Sequence, residues 1–217
     1  MKLELKKRII TSFFLLSILT LMFLYNFILL IGLILFALIS WIEFYALISK
    51  ILFNENNKDK MLRFFYKTVS LFYLSALVYL ILIIQSQYIQ LNIFIIYSIS
   101  VSIMTDIGGL IFGKIFKGKK LTKISPKKTI SGAIGSLFFS FLLIPFFMNY
   151  SSEYNFLLLF LVTFALSCIS QFGDLFISFL KRKAKVKDTS DLLPGHGGLL
   201  DRIDGIIFTI PVGILIF

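Results

Sequence analysis

Apolar residues run through this chain in long, nearly unbroken blocks separated by short polar segments. A helix needs roughly 20 apolar residues to cross a hydrocarbon layer of about 30 Å. The blocks therefore predict seven membrane spans, near 9–25, 27–50, 66–85, 92–113, 132–150, 155–180 and 203–217. The last span holds fifteen residues and rises only about 22 Å, so it must start before residue 203 or cross a thinned bilayer. The first two spans are interrupted only by Tyr25, Asn26 and their neighbours and read either as separate helices or as a tight hairpin. Membrane β-barrels would show alternating polarity over strands of about 10 residues, a pattern that is missing here. The expected fold is an all-α, polytopic helical bundle that forms a single membrane-embedded domain over residues 1–217.

Composition sharpens this reading. Of 217 residues, 58% are hydrophobic and 15% charged, against about 45–50% and 25% in ordinary soluble domains, which excludes a water-soluble globular protein. A lone cysteine, Cys168, cannot make an intrachain disulfide. All 22 basic residues fall into four groups: the N-terminal tail, the loop after span two, the loop after span four and the loop after span six. The turns at 25–27, 85–92 and 148–155 carry none. Because cytoplasmic loops collect Lys and Arg, the N-terminus and the three basic loops are expected in the cytoplasm. The first apolar run is too long for a signal-peptide core and lacks a small-residue cleavage site, so it reads as an uncleaved span with no soluble domain attached. A net charge of +11 suits attraction to anionic lipid head groups. The basic loops lack interleaved aromatics, so a small phosphate-rich substrate fits them better than nucleic acid.

Ionisable residues inside spans are costly and so point to function. Glu43, Asp106 and Asp174 lie seven or eight residues before Lys50, Lys114 and Lys181, which puts each about 10–12 Å below the cytoplasmic boundary. Glu43 has Trp41, Phe44 and Tyr45 as neighbours, typical interface anchors. It therefore reads as a helix-seam residue whose change to Gln should matter less than Asp201→Asn. Asp106 precedes Gly108, Gly109 and Gly113, which allow close approach of a ligand or of another helix. Asp174 follows Gln171 and Gly173. Further on, Asp201 and Asp204 share one helical face and with Asp174 form an oxygen ligand set of the kind Mg²⁺ prefers. The competing reading of that pair is acidic charge at a helix N-terminus.

The segment 178–204, SFLKRKAKVKDTSDLLPGHGGLLDRID, is unlike a purely topogenic loop. Its Pro194-Gly195-His196-Gly197-Gly198 turn can expose successive backbone N–H groups, a nest for phosphate oxygens. Lys181, Arg182, Lys187 and Arg202 surround it with cationic donors. Phosphates together with a carboxylate-held metal imply phosphoryl or nucleotidyl transfer.

This segment resembles the membrane cytidylyltransferases that make CDP-diacylglycerol from phosphatidate and CTP. Their signature, S-x-x-K-R-x4-K-D-x-[GSA]-x2-[LIF]-P-x-H-G-G-x2-D-R-x-D, is matched at Ser178, Lys181, Arg182, Lys187, Asp188, Ser190, Leu193, Pro194, His196, Gly197, Gly198, Asp201, Arg202 and Asp204. Residues 105–121 (TDIGGLIFGKIFKGKKL) and 125–132 (SPKKTISG) are also similar to the family. The resemblance is detailed over the C-terminal half; the N-terminal half matches only as apolar helices, and the chain reads as short for the family, without the extra N-terminal spans of longer members. Leu110 stands where an aromatic is common, and Ser131 where Glu or Gln is usual.

The resemblance implies a Mg²⁺-dependent CTP:phosphatidate cytidylyltransferase of the bacterial inner membrane, acting as a homodimer in the bilayer. Asp174, Asp201 and Asp204 are its expected metal ligands, with His196 and Lys187 joining them as catalytic residues. Lys181, Arg182, Asp188, Gly197, Gly198, Arg202, Asp106, Lys127 and Lys128 are its expected substrate contacts. The rival readings are a CTP-dependent lipid kinase, a cytidylyltransferase for an isoprenoid ether lipid, a small transporter and a polybasic scaffold. Against transport stands the clustering of polar residues on one side of the membrane rather than at its midplane.

Overall fold

The computed structural model describes residues 2–54, 56–87, 92–122, 125–126, 128–148 and 155–216. Lys127 and the turns around 88–91 and 149–154 lie outside the described residues. Helices dominate and, among the described residues, no strand forms; only two isolated bridges, Lys120 with Thr129 and Leu193 with Gly197, pair extended backbone. Five helical stretches are long and apolar enough to cross a membrane, and shorter apolar helices cover Phe13–Met22 and Ile206–Ile216. The protein is a multi-pass helical membrane protein.

Two units can be distinguished, one of residues 1–82 with 180–203 and one of residues 83–179 with 204–217. In the first, α1 (Lys2–Leu24) and α2 (Asn26–Ile51) are separated by a single extended residue, Tyr25. A side chain at Gly32 would lie 2.8 Å from the Met22 thioether, so the glycine lets the two helices touch. α3 (Asn57–Gln87) begins nine residues before the apolar run expected from 66. Its first turns carry Lys58, Lys60 and Arg63; basic residues interrupt hydrophobicity without interrupting helix, because Lys and Arg are good helix formers. Lys67 ties α3 to α2: its carbonyl accepts from Trp41 Nε1 at 3.0 Å, and its ammonium sits 5.1 Å and 4.8 Å from the Trp41 and Tyr45 ring centroids.

The second unit is built on α4 (Asn92–Ile115), α5 (Ile130–Phe141), α6 (Ile144–Met148), most of α7 (Phe156–Lys183) and α9 (Ile206–Ile216). α4 and α5 are in backbone contact: Cβ atoms added at Gly108 or Gly135 would strike the other helix. The glycines after Asp106 therefore admit a helix, one of the two roles anticipated for them. The expected span at 132–150 is broken between α5 and α6, where Pro145 cannot continue a helix without clashing with the carbonyl four residues back. Around the core of Tyr97, Val101, Val162 and Leu166, buried hydroxyls pair across helices. Ser102 with Ser170 at 2.8 Å and Thr105 with Ser167 at 2.9 Å satisfy groups that lipid could not.

Candidate active site

The signature segment begins where α7 ends. Lys185 adopts a left-handed φ of 55°, and the N–H of Val186 returns to the Lys181 carbonyl at 3.0 Å, closing the helix. After the bends at 187–189 and 191, Leu193-Pro194-Gly195-His196 makes a turn with proline second, glycine third at φ 79°, and the His196 N–H donating to the Leu193 carbonyl at 2.8 Å. Those are the requirements of a type II turn. Arg202 spans this turn, its Nε donating to the His196 carbonyl at 3.1 Å. The short helix α8 (Leu200–Ile203) follows.

Asp201 sits at the centre of this loop with its side chain only 5% exposed. One oxygen, Oδ1, accepts from Lys181 Nζ at 2.6 Å. The other, Oδ2, accepts from the Thr189 N–H at 2.8 Å and the Gly198 N–H at 3.1 Å, with the Thr189 hydroxyl at 3.0 Å. Burial pushes the Asp201 carboxyl up, but the Lys181 hydrogen bond, the Thr189 N–H, the Lys181 charge and the Gly198 N–H outweigh it. The group is held below the ordinary carboxylate value and is charged at neutral pH.

Glu43 is the residue that the sequence reading undervalued. It is buried on α2 and meets four donors: Ser190 Oγ at 2.5 Å and the Leu199 N–H at 3.0 Å on Oε1, the Thr189 hydroxyl at 3.0 Å and the Leu200 N–H at 2.7 Å on Oε2. Its aromatic neighbours misled because two positions along a helix turn through about 200°: Trp41 and Tyr45 face Lys67 of α3, while Glu43 faces the loop. Only the presence of a carboxylate in an apolar span signalled it.

The glycine-rich turn was expected to offer its N–H groups to phosphate. Instead, successive N–H groups from His196 to Leu200 go to acceptors of the protein itself: His196 and Gly197 to the Leu193 carbonyl, Gly198 to Asp201, Leu199 and Leu200 to Glu43. In this structure the nest is filled from within by carboxylates, which supply the negative charge such a concavity favours. Gly197 and Gly198 act here as framework: a side chain at Gly197 would lie 3.1 Å from Asp201 Oδ2 and from Asp188 Cβ, and one at Gly198 would collide with Thr189 and Glu43.

Of the remaining expected residues in this unit, Arg182, Lys187 and Asp188 are exposed. His196 is gripped through Nδ1 by Thr11 Oγ1 of α1 at 2.6 Å, and Thr11 also lies 3.3 Å from the Pro194 carbonyl. Nothing in the sequence pattern pointed to Thr11 or Thr189.

In the second unit, Asp174 on α7 forms an ion pair with Lys128, and Ser178 Oγ lies 3.4 Å from its other oxygen. Lys128 is delivered by local pairing: the Leu121 N–H donates to its carbonyl at 2.8 Å and the Ile130 N–H to that of Lys119 at 3.0 Å. Thr129 then caps α5 by accepting from the Gly132 N–H. The region 125–132 singled out by resemblance thus meets the α7 carboxylate Asp174 through Lys128. Asp106 lies on an exposed face of α4. Asp204 is buried, with Oδ1 accepting from the Gly205 N–H at 2.9 Å.

Within either unit, no three His, Cys, Asp or Glu side chains among the described residues are gathered as a ready metal cluster. The donor chemistry nonetheless fits a hard divalent cation. The expected ligands offer only carboxylate oxygens, and at both Asp174 and Asp201 a lysine ammonium already supplies the positive charge that such a cation would bring.

Comparison with known proteins identifies relatives of this chain. The chain is 45% identical over 122 residues to the phosphatidate cytidylyltransferase of Staphylococcus haemolyticus, covering 55% of this chain and 46% of that protein. It is 47% identical over 115 residues to the phosphatidate cytidylyltransferase of Rickettsia felis, covering 49% and 51%. A third relative, of Staphylococcus aureus, bears the same name and is 44% identical over 122 residues, covering 55% and 46%. The chain spans about half the length of the curated relatives it matches. The model of the cytidylyltransferase family, however, matches residues 2–217, and by that match over almost its whole length the chain belongs to the cytidylyltransferase family.

Proposed function

We propose that this protein is a phosphatidate cytidylyltransferase, transferring CMP from CTP to phosphatidic acid to give CDP-diacylglycerol and pyrophosphate. The observation that carries the reading is the signature loop itself, in which an ionised, half-buried Asp201 shares the loop with Lys181, Arg202 and the exposed Arg182 and Lys187. Similarity to relatives named for that activity supports it.

In the reaction, a phosphate oxygen of phosphatidate bonds to the α-phosphorus of CTP while the bond from that phosphorus to the bridging oxygen of pyrophosphate breaks. A phosphomonoester has its second pKa near 6, so the nucleophile is already a dianion and no strong general base is needed. The protein's task is to align two polyanions and to neutralise charge. Lys181 sits ready to share its ammonium between Asp201 and a phosphate, and Arg182 and Lys187 extend cationic charge into solvent, where CTP arrives. Lys128, with Lys127 beside it in sequence, does the same at Asp174. Asp106 and Asp188 are substrate contacts in the same reading, and His196 is a catalytic residue oriented through Nδ1 by Thr11. Asp174, Asp201 and Asp204 are the proposed ligands of Mg²⁺, whose chemistry when bound is to neutralise phosphate charge. Basic loops on the cytoplasmic side of a bacterial inner membrane and a homodimer complete the proposal.

The test is Mg²⁺-dependent transfer of label from CTP into chloroform-soluble lipid by purified protein supplied with phosphatidic acid. A CDP-lipid product that needs phosphatidate is expected; CDP and a phosphorylated lipid would instead establish a kinase.

A further inference from the structure

We infer that Glu43, buried on α2 and remote in sequence from the signature, is a positioning residue for Asp201. Three of the four donors on Asp201 come from two residues, Thr189 and Gly198. Glu43 grips those residues or their neighbours on both flanks of the loop: Thr189 and Ser190 on one, Leu199 and Leu200 on the other. The single carboxylate therefore closes the clamp that holds Asp201 from two sides. The Thr189 hydroxyl stands 3.0 Å from both carboxylates and can donate its one proton to either, so a single group lies between them. A side chain at Gly198 would enter the space that Thr189 and Glu43 occupy, so this clamp tolerates no wedge.

Each Glu43 oxygen accepts from a backbone N–H, Leu199 on one and Leu200 on the other; an amide of the same shape cannot, because its NH₂ must face one of these two N–H groups. Glu43→Gln thus keeps volume while breaking one jaw of the clamp. Glu43→Asp keeps the charge but shortens the reach by one methylene.

The activity arm of the test rests on the cytidylyltransferase reading; the structural arm does not. Hydrogen exchange in detergent-solubilised protein should show amides of Thr189 and Gly198 to Leu200 exchanging at least about tenfold faster in Glu43→Gln, with α3 protected as in the wild type. The kcat for CMP transfer should fall at least about tenfold with KM for CTP within about twofold, and Glu43→Asp should recover part of both losses. Adding Thr189→Val to Glu43→Gln should lower kcat by no more than about twofold further, because the two act through one clamp. Unchanged exchange, exchange accelerated equally throughout α3, or a double variant whose losses multiply overturns the inference. Should Glu43→Gln not fold, Glu43→Asp carries the same comparison. Wild-type protein that transfers no CMP would sink the cytidylyltransferase reading, and the exchange result alone would then sustain or overturn the role of Glu43.

Discussion

Asp201 and Asp174 each lie beside a lysine, yet the chain holds them in opposite ways. Asp201 has, besides Lys181, two backbone N–H groups and a hydroxyl, and its side chain is 5% exposed. Asp174 has Lys128 and a serine at 3.4 Å, and its side chain is 28% exposed. Backbone donors cannot swing away, whereas a lysine on four methylenes can. The first carboxylate is therefore pinned in place, and the second can exchange its partner for a substrate or a cation at little conformational cost. Two carboxylates alike in residue type and in having a lysine partner are thus unequal as chemical groups, one serving structure as well as charge, the other charge alone.

The sharpest way to break this contrast is to neutralise each in turn. Asp201→Asn and Asp174→Asn should each lower CMP transfer by at least about a hundredfold, since both remove charge from the proposed site. Only Asp201→Asn should also lower the thermal midpoint in detergent, because its amide cannot accept from Lys181, Thr189 and Gly198 together. Equal thermal losses in the two variants would erase the distinction, and near-normal turnover in either would remove that residue from the site.

Lys128 tests the exchangeable side. Lys128→Ala should reduce turnover about tenfold and leave the thermal midpoint unchanged, because a pair this exposed contributes only about 0–1 kcal/mol to stability. Lys128→Arg, which keeps the charge, should recover most of the loss. A large thermal effect of Lys128→Ala would show that Asp174 is as firmly held as Asp201.

What could be read from the sequence follows the same division. Spans were legible because lipid imposes one rule on every position of a block, and α2, α4 and α7 fall where the apolar runs put them. The N-terminal extension of α3 was hidden because it is polar and still helical. Within the site, the glycines of the signature announced a tight turn with clustered N–H groups. What reaches the nest from α2 was not legible: Glu43 lies 156 and 157 residues from its partners Leu199 and Leu200, and no local pattern encodes a pairing at that range. Glu43 was visible as an anomaly but not as a clamp.

Acid separates the two carboxylates more gently. The Asp201 value is depressed in the folded protein, so its contribution is fully present above the unfolded value near 3.8 and is lost as pH falls through the lower folded value. The difference in thermal midpoint between wild type and Asp201→Asn should therefore stay constant from pH 8 to about 5 and shrink only below the ordinary carboxylate range. A difference that already shrinks between pH 7 and 5 would mean that Lys181, Thr189 and Gly198 do not hold the charged form as the geometry implies.

Thr11 offers the smallest and most local test, because it reaches the pinned loop from α1 through side chains alone. Its hydroxyl lies 2.6 Å from His196 Nδ1 and 3.3 Å from the Pro194 carbonyl, and Thr11→Val removes both contacts at nearly constant volume. With Arg202 still holding the His196 carbonyl, the turn keeps its backbone while the ring loses its contact at Nδ1. One neutral hydrogen bond of about 0.5–1 kcal/mol corresponds to a loss of about two- to fivefold in kcat/KM. Since the Glu43 clamp does not depend on Thr11, exchange at Leu199 and Leu200 should be untouched. Faster exchange there would mean that the loop is held from α1 as much as from α2, and that the pinning of Asp201 is shared more widely than its own hydrogen bonds indicate.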